Sequence, residues 1–165
     1  MGTDKALLEV DGTAMARRVA DALLAAGADD VVAVGGDGPA LATLGLRPVP
    51  DEHPGEGPLG GILTALAATT AEVVVVLACD LPAPDPSVII SVVDALDDAD
   101  VAAPSHGGHL ELLHAAYARS AQAALSEAFA GGERAPRRAI GAVRVNVVPD
   151  LPAAALADAD RPEDL

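Results

Sequence analysis

The sequence has little of several residue types that usually mark particular classes of protein. Its 165 residues contain a single cysteine, Cys79, so an internal disulfide and CxxC metal or redox motifs are excluded. Tryptophan is absent, and Tyr117 and Phe129 are the only tyrosine and phenylalanine. The core must therefore be built from aliphatic side chains, which suits helices packed on a buried sheet.

Long apolar runs and positive charge are also scarce. No run approaches the roughly 20 residues that cross a bilayer, and the first residues do not form a basic segment followed by an apolar one. We therefore expect no membrane segment and, with so little cysteine, a cytoplasmic location. Ten basic residues face 25 acidic ones, and the net charge of −15 repels polyanions at long range. Nucleic acid and membrane surfaces are not expected partners.

Helix and strand signals alternate along the chain. The segment "AMARRVADALLAAG" has apolar residues at spacings of three and four and a stop at Gly27, which predicts a helix. Four consecutive valines in "EVVVVLACD" predict a strand covered on both faces. With no internal repeat or long linker, we predict one domain over residues 1–165, an open α/β sheet with flanking helices.

A carboxylate follows the valine strand directly. Ligands of open α/β sheets bind in the loops beyond the carboxyl ends of the strands, and Asp80 lies in such a loop. Mg²⁺ prefers one or two carboxylates together with waters and substrate phosphates, so Asp80 is a candidate magnesium ligand. The alternative is that Asp80 only caps the following turn, which Pro82 stiffens.

A glycine-rich segment, "PGEGPLGGILTAL", opens a predicted helix. Gly60 and Gly61 have no side chains, so backbone amides at the helix start could approach a ribose, base or phosphate closely. Glycine-rich loops are often only turns, and by itself the segment indicates no particular ligand.

Together with "MGTDKALLEVDG" at the start and "DADRPEDL" at the end, these segments resemble the MobA-like nucleotidyltransferases. Among these the chain is most similar to the molybdenum cofactor guanylyltransferases, in order and spacing over nearly its whole length. The resemblance implies a three-layer, Rossmann-like, mostly parallel sheet of the nucleotide-diphospho-sugar transferase type. It also implies that GTP and the phosphate of molybdopterin cofactor react to give the guanine dinucleotide form and pyrophosphate.

The resemblance also implies roles for individual residues. Lys5, the only lysine of the chain, would bind the triphosphate, and Asp80 would hold Mg²⁺; both would be catalytic. Gly60 and Gly61 would line the nucleotide pocket, and Asp51 would lie near the nucleoside. Phosphoryl transfer depends mainly on charge neutralisation and positioning, which an ammonium beside Mg²⁺ supplies. The alternative for Lys5 is an ordinary solvated side chain.

The start of the chain departs from the family pattern. The family usually begins with a strand and a loop of the type L-x-G-G-x-S-x-R-M-G-x-D-K, of which only "MGTDK" is present. The usual first strand would lie in the middle of the sheet, and its neighbours would lose ladder partners without it. We therefore expect that Met1 is an internal methionine or that the sequence has been shortened there.

Two further departures bear on the metal and the acceptor. Asp158 and Asp160 occupy positions where the family often has asparagine; Asp160 would be a second metal ligand or, alternatively, a helix cap. Glu111 and Leu112 replace the usual Gln-Pro or His-Pro, and a carboxylate there disfavours a nearby anionic phosphate. Other interpretations remain open: CTP as donor, a sugar or alcohol phosphate as acceptor, or a non-catalytic nucleotide-binding domain.

Overall fold

The computed structural model describes residues 5–158, in which helices and strands alternate. The strands in this range are β1 (Glu9–Val10), β2 (Thr13–Ala14), β3 (Val32–Val34), β4 (Arg47–Val49), β5 (Val73–Leu77), β6 (Val101–His106), β7 (His109–Leu110), β8 (His114–Ala118) and β9 (Val145–Val148). The helices are α1 (Met15–Ala25), α2 (Gly38–Thr43), α3 (Pro58–Ala67), α4 (Pro86–Asp94), α5 (Ala121–Ala130), α6 (Pro136–Ala139) and α7 (Ala153–Leu156), with 3₁₀ turns at Lys5–Leu7 and Ile140–Ala142.

The larger sheet is mixed. Strand β8 lies between β5 and β6 and is antiparallel to both, whereas β9 pairs in parallel with the other edge of β6. The cause is the hairpin between β6 and β7, whose turn residues Gly107 and Gly108 have φ of 56° and 80°. Two successive left-handed residues form the tight turn that reverses a chain. Strands β5, β6 and β9 therefore point one way and β8 returns between them.

Helices cover both faces of this sheet, as the alternation of helix and strand signals predicted. Along β8, Ala115 and Tyr117 belong to the core cluster formed with α3 and α5, whereas Ala116 belongs to the cluster formed with α4. Successive side chains of a strand point to opposite faces, so the two clusters lie on opposite sides. The result is the predicted α/β arrangement of helix, sheet and helix.

A second, two-stranded sheet is formed by β3 and β4, which are parallel. Helix α3 packs against both β3 and β5 and so connects the two sheets. Within residues 5–158, no ladder joins β3 or β4 to β5, so β5 is paired only with β8. The valines of β5 are partly exposed.

Arg119 fixes the end of α3 relative to the start of β5. Its guanidinium donates hydrogen bonds to the carbonyls of Leu66, Thr69 and Ala71. These include carbonyls at and just beyond the end of the helix, which a helix cannot satisfy internally.

In the described part of the chain, no helix is long and apolar enough to cross a bilayer.

Candidate active site

Asp80 and Lys5 lie together at the carboxyl end of β5. The Lys5 Nζ atom is 3.6 Å from Asp80 Oδ2, and their side chains are 41% and 22% exposed. The loop is fixed just before Asp80, because the Ala78 N–H donates to the Leu113 carbonyl at 2.7 Å and continues the ladder beyond β5. A partly exposed ion pair contributes little to stability, so the pair is better suited to meeting a charged ligand than to holding the fold.

Arg18, which sequence reasoning missed, joins the two segments that carry this pair. From α1 its guanidinium donates to the carbonyl of Pro82 at 3.0 Å and to that of Val10 at 3.2 Å. The first carbonyl belongs to the loop after Asp80, and the second to the hairpin that follows Lys5. Arg18 therefore sets the distance between the segments, but an arginine in an amphipathic helix gives no signal of that role in the sequence.

A cavity of about 730 Å³ opens beyond the carboxyl ends of β3 and β4 and is lined mainly by glycine and proline. Asp51 also lines it. Its Oδ1 atom accepts hydrogen bonds from Thr64 Oγ1 at 3.1 Å and from the His53 N–H at 2.9 Å. These two donors hold the carboxylate in one orientation at the cavity wall. We call this space the first cavity.

The two glycines predicted to bind nucleotide differ in their surroundings. A Cβ atom on Gly60 would lie 2.7 Å from the Cβ of His53, so this glycine lets α3 pack tightly against the loop that carries Asp51. A Cβ on Gly61 would meet nothing within 4 Å. Neither glycine is among the described residues that line the first cavity. Gly60 therefore has a packing role, and nucleotide binding by either glycine stays a prediction.

A second cavity, of about 450 Å³, begins at Asp80 and extends towards the β6–β7 hairpin and α6. Its charged and polar lining residues are Asp80, His106, Glu111, His114, Arg137 and Asp158. Pro58 also lines it, whereas Pro54 and Gly55 line the first cavity. The end of the loop before α3 and the first residue of α3 thus line different cavities.

His114, the first residue of β8, is a buried polar group in the wall of the second cavity. The residue is only 3% exposed, and neither ring nitrogen has a hydrogen-bond partner in the described part of the chain. Burial lowers the pKa of His114 to about 4, so the ring is neutral at neutral pH. A neutral imidazole has one N–H donor and one acceptor nitrogen. Sequence reasoning missed this role of His114, because the histidines show no metal-binding spacing.

Tyr117 holds the segment that forms this wall. Its hydroxyl donates to the Leu112 carbonyl at 2.7 Å, and both groups are buried. Burial also raises the pKa of Tyr117, because the phenolate would lose its hydration. The hydroxyl therefore remains a hydrogen-bond donor and fixes the turn between Glu111 and His114.

Arg137 reaches the rim of the second cavity from α6. Its Nη1 donates to His109 Nδ1 at 3.0 Å, which makes that nitrogen the acceptor of the ring. The turn before α6 is organised by Glu133, which accepts from the Ala135 N–H at 2.7 Å and from Arg138 Nη2 at 2.8 Å. These contacts, with Arg138 the largest, lower the pKa of Glu133 to about 2.

The described carboxylates fit a magnesium ion that is completed by a substrate. Residues 5–158 contain no group of three or more side chains of the metal-ligating types. Asp80 and Asp158 line the same cavity. Mg²⁺ commonly uses one or two protein carboxylates with waters and phosphate oxygens, so a site of this kind needs no such cluster. Asp160, the predicted second ligand, lies outside the described residues.

Comparisons with known proteins agree with this architecture. Residues 1–147 match the family described as the MobA-like NTP transferase domain. The chain is 39% identical over 158 residues to a Pelotomaculum thermopropionicum protein named "probable molybdenum cofactor guanylyltransferase", covering 96% of this chain and 77% of that protein.

Two solved structures share the fold. One is the molybdopterin-guanine dinucleotide biosynthesis protein A of Archaeoglobus fulgidus, with a TM-score of 0.76 and 24% identity over 99% of this chain and 87% of that chain. The other is a Mycobacterium tuberculosis protein in complex with manganese, with a TM-score of 0.68 and 18% identity over 97% and 88%. The fold class and family resemblance predicted from the sequence are confirmed, and the chain belongs to the MobA-like NTP transferase domain family.

Proposed function

We propose that this protein transfers GMP from GTP to the phosphate of molybdopterin cofactor and releases pyrophosphate. The observation that carries the proposal is the pair of Lys5 and Asp80, 3.6 Å apart at the start of the second cavity. The names of the relatives suggest the guanylyl donor and the acceptor. The two cavities, bordered by neighbouring residues from Pro54 to Pro58, would give each substrate a separate space.

The chemistry is a nucleotidyl transfer. An oxygen of the acceptor phosphate forms a bond to the α-phosphorus of GTP, and the bond from that phosphorus to the bridging oxygen of the β-phosphate breaks. The electron pair leaves with pyrophosphate. Such reactions need in-line positioning and charge neutralisation more than covalent help from the protein.

The charged residues at the site suit these two requirements. Mg²⁺, bound by Asp80 and by phosphate oxygens, would neutralise charge on the triphosphate. The ammonium of Lys5 is a compact positive charge, and it would donate hydrogen bonds to the phosphates. In a chain with a net charge of −15, this local positive charge offsets the general repulsion of anionic substrates.

The first cavity suits the nucleoside. At about 730 Å³ it lies within the usual range of small-molecule sites. The carboxylate of Asp51, held by Thr64 and the His53 amide, would accept hydrogen bonds from ribose hydroxyls or from base N–H groups. Gly61, beside which space is open, would let the ligand approach the start of α3 closely.

The test is to incubate the protein with molybdopterin, Mg²⁺ and GTP or CTP separately and to follow pyrophosphate. We expect release with GTP, loss of release on chelation of the metal, and recovery when Mg²⁺ is added. Release with CTP but not with GTP would show that the donor is misassigned.

The variant Asp80→Asn tests the metal assignment. The substitution removes a carboxylate with almost no change in volume, so we expect turnover to be lost while the thermal unfolding curve is unchanged. Asp94→Asn is the matched control, because Asp94 is exposed near the end of α4 and undergoes the same change in charge. Full activity of Asp80→Asn would refute the role of Asp80.

A further inference from the structure

The loop between β4 and α3, residues 50–57, forms one wall of the first cavity. Pro50, Asp51, Pro54 and Gly55 line that cavity. The backbone of the loop is irregular and most of its residues are exposed. Because such a segment buries few apolar contacts of its own, side-chain contacts with the rest of the fold decide where this wall lies.

The first half of the loop is fixed by a buried side chain of α3. Thr64 is only 1% exposed, and its Oγ1 atom accepts from the Glu52 N–H at 3.1 Å and contacts Asp51 Oδ1 at 3.1 Å. The second half, residues 54–57, is contacted instead from the turn between α5 and α6. The two halves are therefore held by different parts of the fold.

Arg134, in the turn between α5 and α6, makes the contacts with the second half. Its Nη2 atom donates to Glu56 Oε2 at 2.6 Å, and its carbonyl accepts from the Leu59 N–H at 3.4 Å. Gly57 lies against the same residue, because a Cβ atom on Gly57 would be 3.4 Å from the Arg134 carbonyl oxygen. Arg134 therefore meets both the loop and the start of α3.

The Phe129 ring connects Arg134 with the first half of the loop. The central guanidinium carbon of Arg134 lies 3.9 Å from the ring centroid, a distance at which cation–π attraction is favourable. The His53 ring packs against the same ring, with centroids 4.5 Å apart. Since the His53 N–H donates to Asp51 Oδ1, direct contacts lead from Arg134 to the carboxylate in the cavity wall.

Arg134 also has a role that is local to α5. Its Nη1 atom donates to the Phe129 carbonyl at 2.8 Å, and carbonyls in the last turn of a helix lack partners within the helix. The contact with Glu56 is of another kind. The two side chains are 40% and 44% exposed, and ion pairs this exposed add little to stability. The Glu56 contact therefore serves the position of the loop more than the stability of the fold.

We propose that Arg134 is a positioning residue for the donor nucleotide: through Glu56 and Phe129 it holds loop 50–57 in place as the wall of the first cavity. The inference rests on the proposed function. Arg134 is not among the described residues that line either cavity, so it acts through the loop and not by touching the nucleotide. Without it, the loop is free to move away and Asp51 is less well oriented.

The first experiment compares Glu56→Ala with Glu52→Ala in calorimetric titrations with GTP and Mg²⁺. Both variants remove one exposed carboxylate from the same loop, and in the described part of the chain only Glu56 pairs with Arg134. Both leave the contact of Arg134 with the end of α5 intact, so we expect wild-type unfolding temperatures.

The direction of the effect discriminates between charge and position. Removing a carboxylate near an anionic ligand by itself strengthens binding. Loss of the loop contact in Glu56→Ala should instead weaken GTP binding about two- to fivefold, as for one partly exposed ion pair. Glu52→Ala should bind GTP at least as tightly as the wild-type protein. An affinity of Glu56→Ala equal to or above that of Glu52→Ala would overturn the proposal.

The second experiment changes the other partner, with Arg134→Gln and Arg134→Lys. Glutamine removes the charge that Glu56 and the Phe129 ring attract, so we expect GTP binding about three- to tenfold weaker. Lysine keeps that charge and should recover part of the affinity. The double variant Arg134→Gln/Glu56→Ala should bind no more weakly than Arg134→Gln, since both changes remove one contact. Additive losses would contradict a shared contact.

Hydrogen exchange without any ligand separates this inference from the proposed function. Amides of residues 50–57 should exchange faster in Glu56→Ala and Arg134→Gln than in the wild-type protein and Glu52→Ala. Unchanged exchange, or faster exchange with unchanged GTP affinity, would refute the positioning role. Weakened GTP binding in both variants, with no pyrophosphate release by the wild-type protein, would support that role and refute the reaction. Release with an unchanged KM for GTP in both variants would support the reaction and refute the role, and a wild-type protein that binds no GTP would refute both.

Discussion

The pair Gly60→Ala and Gly61→Ala isolates one close contact in the fold. Both residues lie in α3, and in a helix alanine is favoured over glycine by about 0.5–1 kcal/mol. The two variants share this gain. Only Gly60→Ala places a Cβ atom 2.7 Å from the His53 Cβ, whereas the new Cβ of Gly61→Ala meets nothing within 4 Å. The difference between the variants therefore measures the clash.

The size of the difference follows from the geometry. The His53 ring packs against the Phe129 ring at a tilt of 50° with centroids 4.5 Å apart, so His53 cannot move away without disturbing a second contact. Overpacking of this kind costs about 1–3 kcal/mol. For a chain of this length, each kcal/mol shifts the unfolding temperature by about 2–4 °C, so Gly60→Ala should unfold about 2–12 °C below Gly61→Ala.

Thermal unfolding of both variants by circular dichroism or calorimetry measures this difference. Equal unfolding temperatures would mean that the approach of α3 to the His53 loop is looser than described, and the reasoning would fail. A GTP titration adds a second result. Gly61→Ala should be at least as stable as the wild-type protein but should bind GTP more weakly, since its new methyl group occupies space proposed for the nucleotide.

Two further predictions concern the walls of the second cavity. Tyr117→Phe leaves the buried Leu112 carbonyl without its 2.7 Å hydrogen bond, so urea unfolding should show a loss of about 1–3 kcal/mol; a loss below about 0.5 kcal/mol would contradict this reasoning. The pKa of Glu133 is lowered from its ordinary 4.5 to about 2 by Arg138 and backbone amides, so its contribution to stability is complete above pH 4.5 and is lost as pH falls towards 2. The difference in unfolding temperature between wild type and Glu133→Gln should therefore shrink over that range, and a constant difference would exclude the linkage.

Much of the fold could be predicted from the sequence because its signals are local. The apolar spacing that predicted a helix ending near Gly27 corresponds to α1, and the run of valines corresponds to β5. Asp80 follows β5 directly, so chain order alone placed it at the carboxyl end of a strand. The family could also be identified, because the order of short segments along the chain carries that information.

The direction of β8 could not be predicted with the same rules. Its apolar residues fit a parallel or an antiparallel strand equally well, since both bury alternate side chains on each face. The turn at Gly107 and Gly108 decides the direction, together with pairing to β5 and β6 on either side. Such pairing is a long-range property, and a sequence pattern does not contain it.

The sequence by itself determined the family, the α/β class and the residue types available for chemistry, because these depend on local patterns and on order along the chain. Tertiary structure decided that Lys5 meets Asp80 and that Arg18 joins their two segments. It also buried His114 with no hydrogen-bond partner among residues 5–158. The physical reason is that distance and burial are set by how separate elements pack, and packing joins residues that are remote in the chain.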